Sequence, residues 1–476
     1  MKEDAHREKF NNERKRLFSD KVDVVAFILI TGFFLYFMIF HGVAECGDSY
    51  QYENQFPMRE PVYSLILQFL QFIAGEKYMM ALGVVQNLLA IICIYLSYRR
   101  LSEIWRFGYL CRFITLICLL APHLLTPLAS KTNLILTNTV MTEGITLSLY
   151  YVWLTDMISL LTDRFEQQSK IRAMIRTMLF AIVLSMTRGQ MILCVLMTFA
   201  VLIYTIFIEN KGKTLIAVKK SAVCLLIFIA ILIAKTQVTK FYNLVETGNY
   251  VNTVSSGPML LSNIAYVCDK NDAEYIKDDD LREAFEEIVQ MIDSDELAYS
   301  YATGNIISKA RFHESGHETI NFDIIDPVMR KVIYSRYGLD ESNFLKLMIR
   351  EDELCKSVSK QLLPHIFAKY FKNYVIISAL GFVRSIAVEK SVLPLYALLM
   401  YIFVIAVSFI NIKNSVYSNQ TKVMIFVIIM ICGNVLGTAL VIQCITRYMI
   451  YNLPFFYISL IALLMSYPKV NKFLNF

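Results

Sequence analysis

Two stretches of the chain hold side chains able to do chemistry. The first reads Glu45-Cys46-Gly47-Asp48-Ser49-Tyr50 and continues to Arg59-Glu60-Pro61-Val62-Tyr63. It follows an apolar run directly, so Asp48 sits at the edge of a nonpolar layer. There a carboxylate can take the proton of a hydroxyl whose oxygen attacks a neighbouring electrophile. Gly-Asp-Ser is also ordinary turn chemistry, and a loop-capping Asp48 is the plain alternative. The second stretch is His313-Glu314-Ser315-Gly316-His317, a formal H-E-x-x-H. On a helix its two histidines share one face and bind zinc, with Glu314 activating water as in a metalloprotease. No clear third ligand follows in Glu318-Thr319-Ile320-Asn321-Phe322-Asp323, so a polar loop is the expected setting.

The elements that must position these residues are read from composition. The chain has 476 residues, 56% of them hydrophobic and 18% charged. Soluble domains average about 45–50% apolar and about 25% charged, so a string of soluble domains is excluded, as are disorder and a disulfide scaffold. Apolar runs fall near 24–40, 78–97, 113–128, 133–161, 177–187, 190–208, 221–238, 391–411, 423–442 and 448–466. Ten spans put both termini on one side. The loops 1–23, 98–112, 162–176, 209–220, 412–422 and the C-terminal tail carry 23 Lys and Arg. The short loops of the other face carry only Arg59, Lys77, Lys131, Arg188 and Arg447. By the positive-inside rule both termini are cytoplasmic and Asp48 faces the extracytoplasmic side. The net charge of +6 is thus spent on topology and not on nucleic acid.

The expected architecture is an all-α polytopic membrane protein. It comprises a basic cytoplasmic N-terminus (1–23), spans 1–7 (24–238) with a first outer loop (41–77), an extracytoplasmic helical domain (239–372), an interfacial helix (373–390), and spans 8–10 with a cytoplasmic tail (391–476). Residues 61–74 are apolar but too short to cross, and 373–388 contain Arg384; both read as helices lying in the outer interface, the alternative being that 373–388 is an eleventh span. Leu281, Phe285, Ile288 and Ile292 repeat at helical spacing within the outer domain. Cys46, Cys268 and Cys355, the outer cysteines, stand at unrelated spacings and define neither a metal site nor a disulfide. Gly212-Lys213-Thr214 lacks the first glycine of a P-loop, and Asn419-Gln420-Thr421 is a sequon in a cytoplasmic loop.

Two further features draw attention to the outer end of the bundle. Glu143 lies within an apolar run, where a carboxylate is costly without a partner. Arg59, Arg188 and Arg447 are the only arginines of the short outer loops; a guanidinium can hold two phosphate oxygens at once, or snorkel to the interface as a structural residue.

An acidic residue just after the first span, a charged-charged-Pro-x-Tyr motif opening a short interfacial helix, Met141-Thr142-Glu143 in the fourth span, Arg188 between two runs, and Arg447-Tyr448 with Pro454 further on together resemble the GT-C glycosyltransferases. The closest likenesses are the protein O-mannosyltransferases and the bacterial aminoarabinose transferases. The chain departs from them in carrying Asp48-Ser49 where many members have Asp-Glu, and Arg59-Glu60 where aminoarabinose transferases have Glu-Lys. The resemblance implies transfer of a sugar from a polyprenyl-phosphate donor to an acceptor hydroxyl of a glycan, lipid or protein. It implies Asp48 as base, Arg59, Arg188, Arg447 and Tyr448 on the donor phosphate, and Glu60 and Glu143 in support. A divalent metal, if used, falls to Asp48 and Glu60. The alternatives are the zinc metalloprotease of His313-Glu314-x-x-His317 and a lipid or glycan flippase or transporter.

Overall fold

The computed structural model describes residues 21–130, 134–163, 167–388, 392–413, 418–467, 470 and 472. The basic segment 1–20, Lys131 and most of the tail lie outside the described residues. Within them the chain has no strand and one isolated parallel bridge, Ala44 with Thr139. Ten helical stretches are long and apolar enough to cross a membrane, the pattern of an all-α multi-pass membrane protein.

The first part of the bundle runs through α1 (Lys21–His41), α2 (Ser49–Glu53), α3 (Pro61–Ala74), α4 (Tyr78–Trp105), α5 (Tyr109–Ser130), α6 (Glu143–Leu161), α7 (Gln167–Thr187), α8 (Ile192–Glu209) and α9 (Thr214–Thr247). α1 buries Asp23, Ala26, Ile30 and Phe34, one stripe at helical spacing, and leaves its other apolar faces outward. In α3, Pro61 occupies the first turn, where its missing N–H costs nothing, and Gly75 at φ 53° ends the helix. Its 14 residues bury Tyr63, Leu67 and Leu70 while Phe72 is 88% exposed. α6 is the buried axis. Two of its large polar side chains bond inside the bundle, Trp153 Nε1 donating to Thr198 at 2.9 Å and Tyr151 to the Leu119 carbonyl at 3.1 Å. α9, with aliphatic residues on nearly every side, lies at the periphery.

Between α9 and the second part of the bundle lies a helical insert with its own apolar core, including Phe285, Ile288, Ile324, Ile333 and Leu362. It contains α10 (Ser256–Ala265), α11 (Asp279–Ser294), α12 (Ile306–Glu318), α13 (Asp326–Tyr337) and most of α14 (Phe344–Ile386). Asp278 caps α11, accepting from the Leu281 N–H at 3.1 Å, and the Leu281, Phe285, Ile288, Ile292 stripe is buried as the spacing predicts. The bundle is completed by α15 (Leu393–Lys413), α16 (Asn419–Ala439), α17 (Thr446–Met449) and α18 (Leu453–Leu464).

Several expected boundaries are corrected. The run 133–161 is not one helix: a 3₁₀ turn, Leu136–Asn138, precedes α6, and Glu143 is the first residue of that helix. The irregular backbone is tolerated because α4 satisfies it; Gln86 Nε2 donates to the Thr137 and Thr139 carbonyls, both at 3.0 Å. α9 extends nine residues past 238, so the insert begins later than 239. Residues 373–386 are not a separate helix but the end of α14, continuous with the insert; 389–390 lie outside the described residues. That end packs on neighbouring helices: Tyr374 donates to the Leu436 carbonyl at 3.3 Å, and Tyr457 donates to the Ile386 carbonyl at 2.6 Å. The ten apolar stretches include α14 and leave out α7, the reverse of the sequence assignment. Yet α7 runs the full length of α6, with Lys170–Asp163 at 2.7 Å, Arg176–Asp156 at 2.5 Å and Arg188–Glu143 at 2.6 Å from one end to the other. These ion pairs are why it is too polar to stand out by apolarity. Asn419 of the sequon starts α16 and donates to the Thr162 carbonyl at 3.2 Å.

Candidate functional site

The site is built at the end of the bundle where α6 begins. The loop after α1 is tied down by backbone bonds between Ala44 and Asn138 and between Val140 and Ala44, both at 3.0 Å. Ser49 donates to the Val140 carbonyl at 2.9 Å and accepts from the Cys46 N–H at 2.7 Å. Ser49 is therefore an anchor. It holds Asp48 at the start of α2 with its carboxylate toward Arg59 and Arg447.

Each Asp48 oxygen meets a different guanidinium: Oδ1 accepts from Arg59 at 2.8 Å and Oδ2 from Arg447 at 2.8 Å. Burial pushes the Asp48 carboxyl up, but Arg59 and Arg447 together outweigh it and hold it below its ordinary value of 3.8. Arg59 is further fixed by Gln51, to which its Nε donates at 2.7 Å, and by the Tyr52 ring 4.8 Å away. Arg447 lies 3.8 Å from Glu143, which is ion-paired to Arg188 at 2.6 Å. The guanidinium of Arg188 stacks 4.5 Å from the Tyr448 ring, and that of Arg447 5.3 Å from the same ring. The result is one continuous chain of charge, Arg59–Asp48–Arg447–Glu143–Arg188, with three cations and two anions.

The backbone explains how sequence-distant residues meet. Arg188 is the extended residue (φ −151°, ψ 124°) between the end of α7 and the 3₁₀ turn Gly189–Met191, so its side chain turns back onto α6. Arg447 rides on the short α17, whose Tyr448 carbonyl accepts from Gln190 and Asn434, both at 2.9 Å. Asp48, Arg59, Arg188, Arg447, Tyr448 and Glu143 are thus brought together. Glu60 is not in the chain; its carboxylate accepts from Lys235 at 2.7 Å and Thr239 at 3.4 Å. Gln51, Gln190, Asn434 and Lys235 went unremarked in the sequence reading. Lys235, a charge near the end of an apolar run, and Asn434, within another, were the signals available.

The donor set does not fit a divalent cation. Both Asp48 oxygens are taken by arginines and Glu60 by Lys235, and among the described residues no three His, Cys, Asp or Glu side chains are grouped to hold a metal ion. The H-E-x-x-H segment is not a polar loop but part of α12, with both histidines buried. His313 stacks on Tyr266 with ring centroids 3.8 Å apart, and Gln443 and Asn373 amides lie at 3.3 and 3.4 Å from its two nitrogens. His317 Nδ1 meets Ser262 at 3.0 Å. Burial holds His313 well below the ordinary histidine range and His317 down to about 4, so both are neutral packing residues. Glu314 points elsewhere, in a two-pronged pair with Arg384 at 3.0 and 2.9 Å. With the glutamate paired away from the histidines, the water-activating arrangement of a zinc protease is not formed.

All ten cysteines are free thiols. No family model, curated protein or solved structure matches the chain.

Proposed function

We propose that this protein is a membrane glycosyltransferase that moves a sugar from a polyprenyl-phosphate donor to an acceptor hydroxyl at the extracytoplasmic face. The observation that carries the reading is the Arg59–Asp48–Arg447–Glu143–Arg188 chain. It sets one carboxylate between two guanidiniums at the edge of an apolar bundle, with a surplus of one positive charge. That is what transfer from a lipid phosphate requires: a base for the incoming hydroxyl beside cations for the departing anion.

In the reaction the acceptor oxygen attacks the anomeric carbon and a new carbon–oxygen bond forms. The bond from that carbon to the phosphate oxygen breaks, and the lipid phosphate leaves with the electron pair. The acceptor's proton passes to an Asp48 oxygen. Arg59, Arg447 and Arg188 receive the phosphate, their planar forks each able to hold two of its oxygens. Asp48 bound by two arginines is a weak base, and the donor resolves this. Its phosphate competes for the guanidiniums, releasing Asp48, whose burial then raises its proton affinity. Donor binding and base activation become one event. Tyr448, under both guanidiniums, keeps their planes aligned.

Binding of a radiolabelled polyprenyl phosphate to purified protein tests the phosphate role. Arg447→Ala weakens it more than Arg447→Lys, because lysine keeps the charge and loses the fork. Equal, unaltered affinity in both variants makes Arg447 structural and removes the phosphate site.

A further inference from the structure

Away from the charge chain, a cleft of about 540 Å³ opens where the end of α9 meets the corner between α13 and α14. That is the size range of small-molecule sites. Its wall carries Asn249, Tyr250, Tyr337, Lys346, Arg350 and Glu353. The two rings are 52% and 44% exposed, so a ligand can reach them. Each ring carries a cation over one face: Tyr250 donates to Gln237 and has the Lys240 ammonium 5.5 Å over its ring, and the Arg350 guanidinium lies 5.2 Å over the Tyr337 ring. Arg350 and Glu353 pair at 2.5 Å. Lys346, which also lines the cleft, has no ion-pair partner among the described residues.

These groups select a ligand by chemistry. A pyranose offers a face of C–H bonds to an aromatic ring and a rim of hydroxyls to amide, carboxylate and guanidinium groups. Tyr and the polar residues supply both sides of that match. Glu353 suits a hydroxyl-rich ligand, since it accepts hydrogen bonds. The spare cation of Lys346 suits one acidic substituent on the sugar chain.

The cleft also adjoins the Asp48 loop. Val254 N–H donates to the Pro57 carbonyl at 2.9 Å, and the Phe344 ring lies 5.4 Å from that of Phe56. Val251 lines the cleft three residues from Val254, at most about 11 Å of chain, and Lys346 lies two residues from Phe344. We propose that this cleft binds an acidic glycan and that the glycan is the acceptor of the transfer. Only the word acceptor rests on the transferase reading; the glycan site stands on the cleft.

The test is a titration of the full chain in phosphatidylcholine nanodiscs, without donor. The probes are a uronate-containing tetrasaccharide, a neutral tetrasaccharide of the same length, and glycerophosphoglycerol as a headgroup mimic. The acidic tetrasaccharide binds saturably and more tightly than the other two. Tyr337→Ala and Lys346→Glu, at exposed positions, each weaken it by about tenfold or more, the scale of one charge-assisted contact. Absence of saturable binding, unchanged affinity in both cleft variants, equal binding of the neutral chain, or preference for glycerophosphoglycerol each overturns the proposal. None of these outcomes depends on turnover, so each is separable from a failure of the transferase reading.

Discussion

Replacing Glu143 by Gln removes the charge that the other end of the site leans on. Glu143 is buried and its partner Arg188 has a side chain only 13% exposed. At an effective dielectric constant of about 20, charges 2.6 Å apart attract by about 6 kcal/mol before desolvation is subtracted. Removing one partner of such a pair costs about 3–5 kcal/mol, because the other charge stays buried and unanswered. For a chain of 476 residues at about 2.1 cal/mol/K per residue, the melting entropy is about 1 kcal/mol/K. Glu143→Gln therefore lowers the melting temperature by about 3–5 °C, read from tryptophan fluorescence in detergent. Arg188→Gln on its own also destabilises, leaving Glu143 with Arg447 alone at 3.8 Å. The double variant carries no lone charge and recovers at least half of the summed loss. A Glu143→Gln melt within about 1 °C of wild type, or a double variant equal to the sum of the singles, refutes the pairing as the structural keystone of the site.

The remaining predictions concern pH and topology. Asp48 has its folded proton affinity depressed below 3.8, so the stability it contributes is present above the ordinary carboxyl value and is lost as pH falls through the folded value. Release of Asp48 by donor reverses the shift: the acid limb of kcat, measured at saturating donor, lies at higher pH than that of kcat/KM, and coincident limbs contradict the release. For the side of the membrane, a cysteine placed at residue 300 in a background without native cysteines is labelled by an impermeant reagent added outside intact cells, and one at residue 211 is not; the opposite pattern inverts the topology.

Much of the site was legible because charge is conspicuous in an apolar chain. Glu143, Arg188 and Arg447 are single ionised residues near the ends of long nonpolar runs, and the cost of burying each demands partners. Their mutual pairing is what the folded chain supplies. Glu60 misled because its neighbour Arg59 belongs to the site, while Glu60, one residue on, faces Lys235 across from α9. Sequence spacing has no means of showing which side of a helix start a side chain takes. The 3₁₀ turn before α6 was hidden for a similar reason: Leu136 to Asn138 are unremarkable until Gln86 and Asn87 of α4 are brought against them. α14 looked like a separate interfacial helix since its C-terminal residues alone are apolar, and Pro364 within it gives a sequence reader a reason to break it. The H-E-x-x-H pattern had the right residues at the right spacing; the burial of both histidines against Tyr266, Ser262, Asn373 and Gln443, and the pairing of Glu314 with Arg384, distinguish it from a zinc site.

Asp48→Asn tests the role of base most directly. Asparagine keeps the shape and a hydrogen-bonding group but cannot accept the acceptor's proton. General-base catalysis contributes about 10²–10⁴-fold, so sugar transfer from a polyprenyl-phosphate donor falls by that order while the protein inserts normally and still binds donor. Transfer by Asp48→Asn within a few-fold of the wild-type rate, at normal expression, contradicts the account.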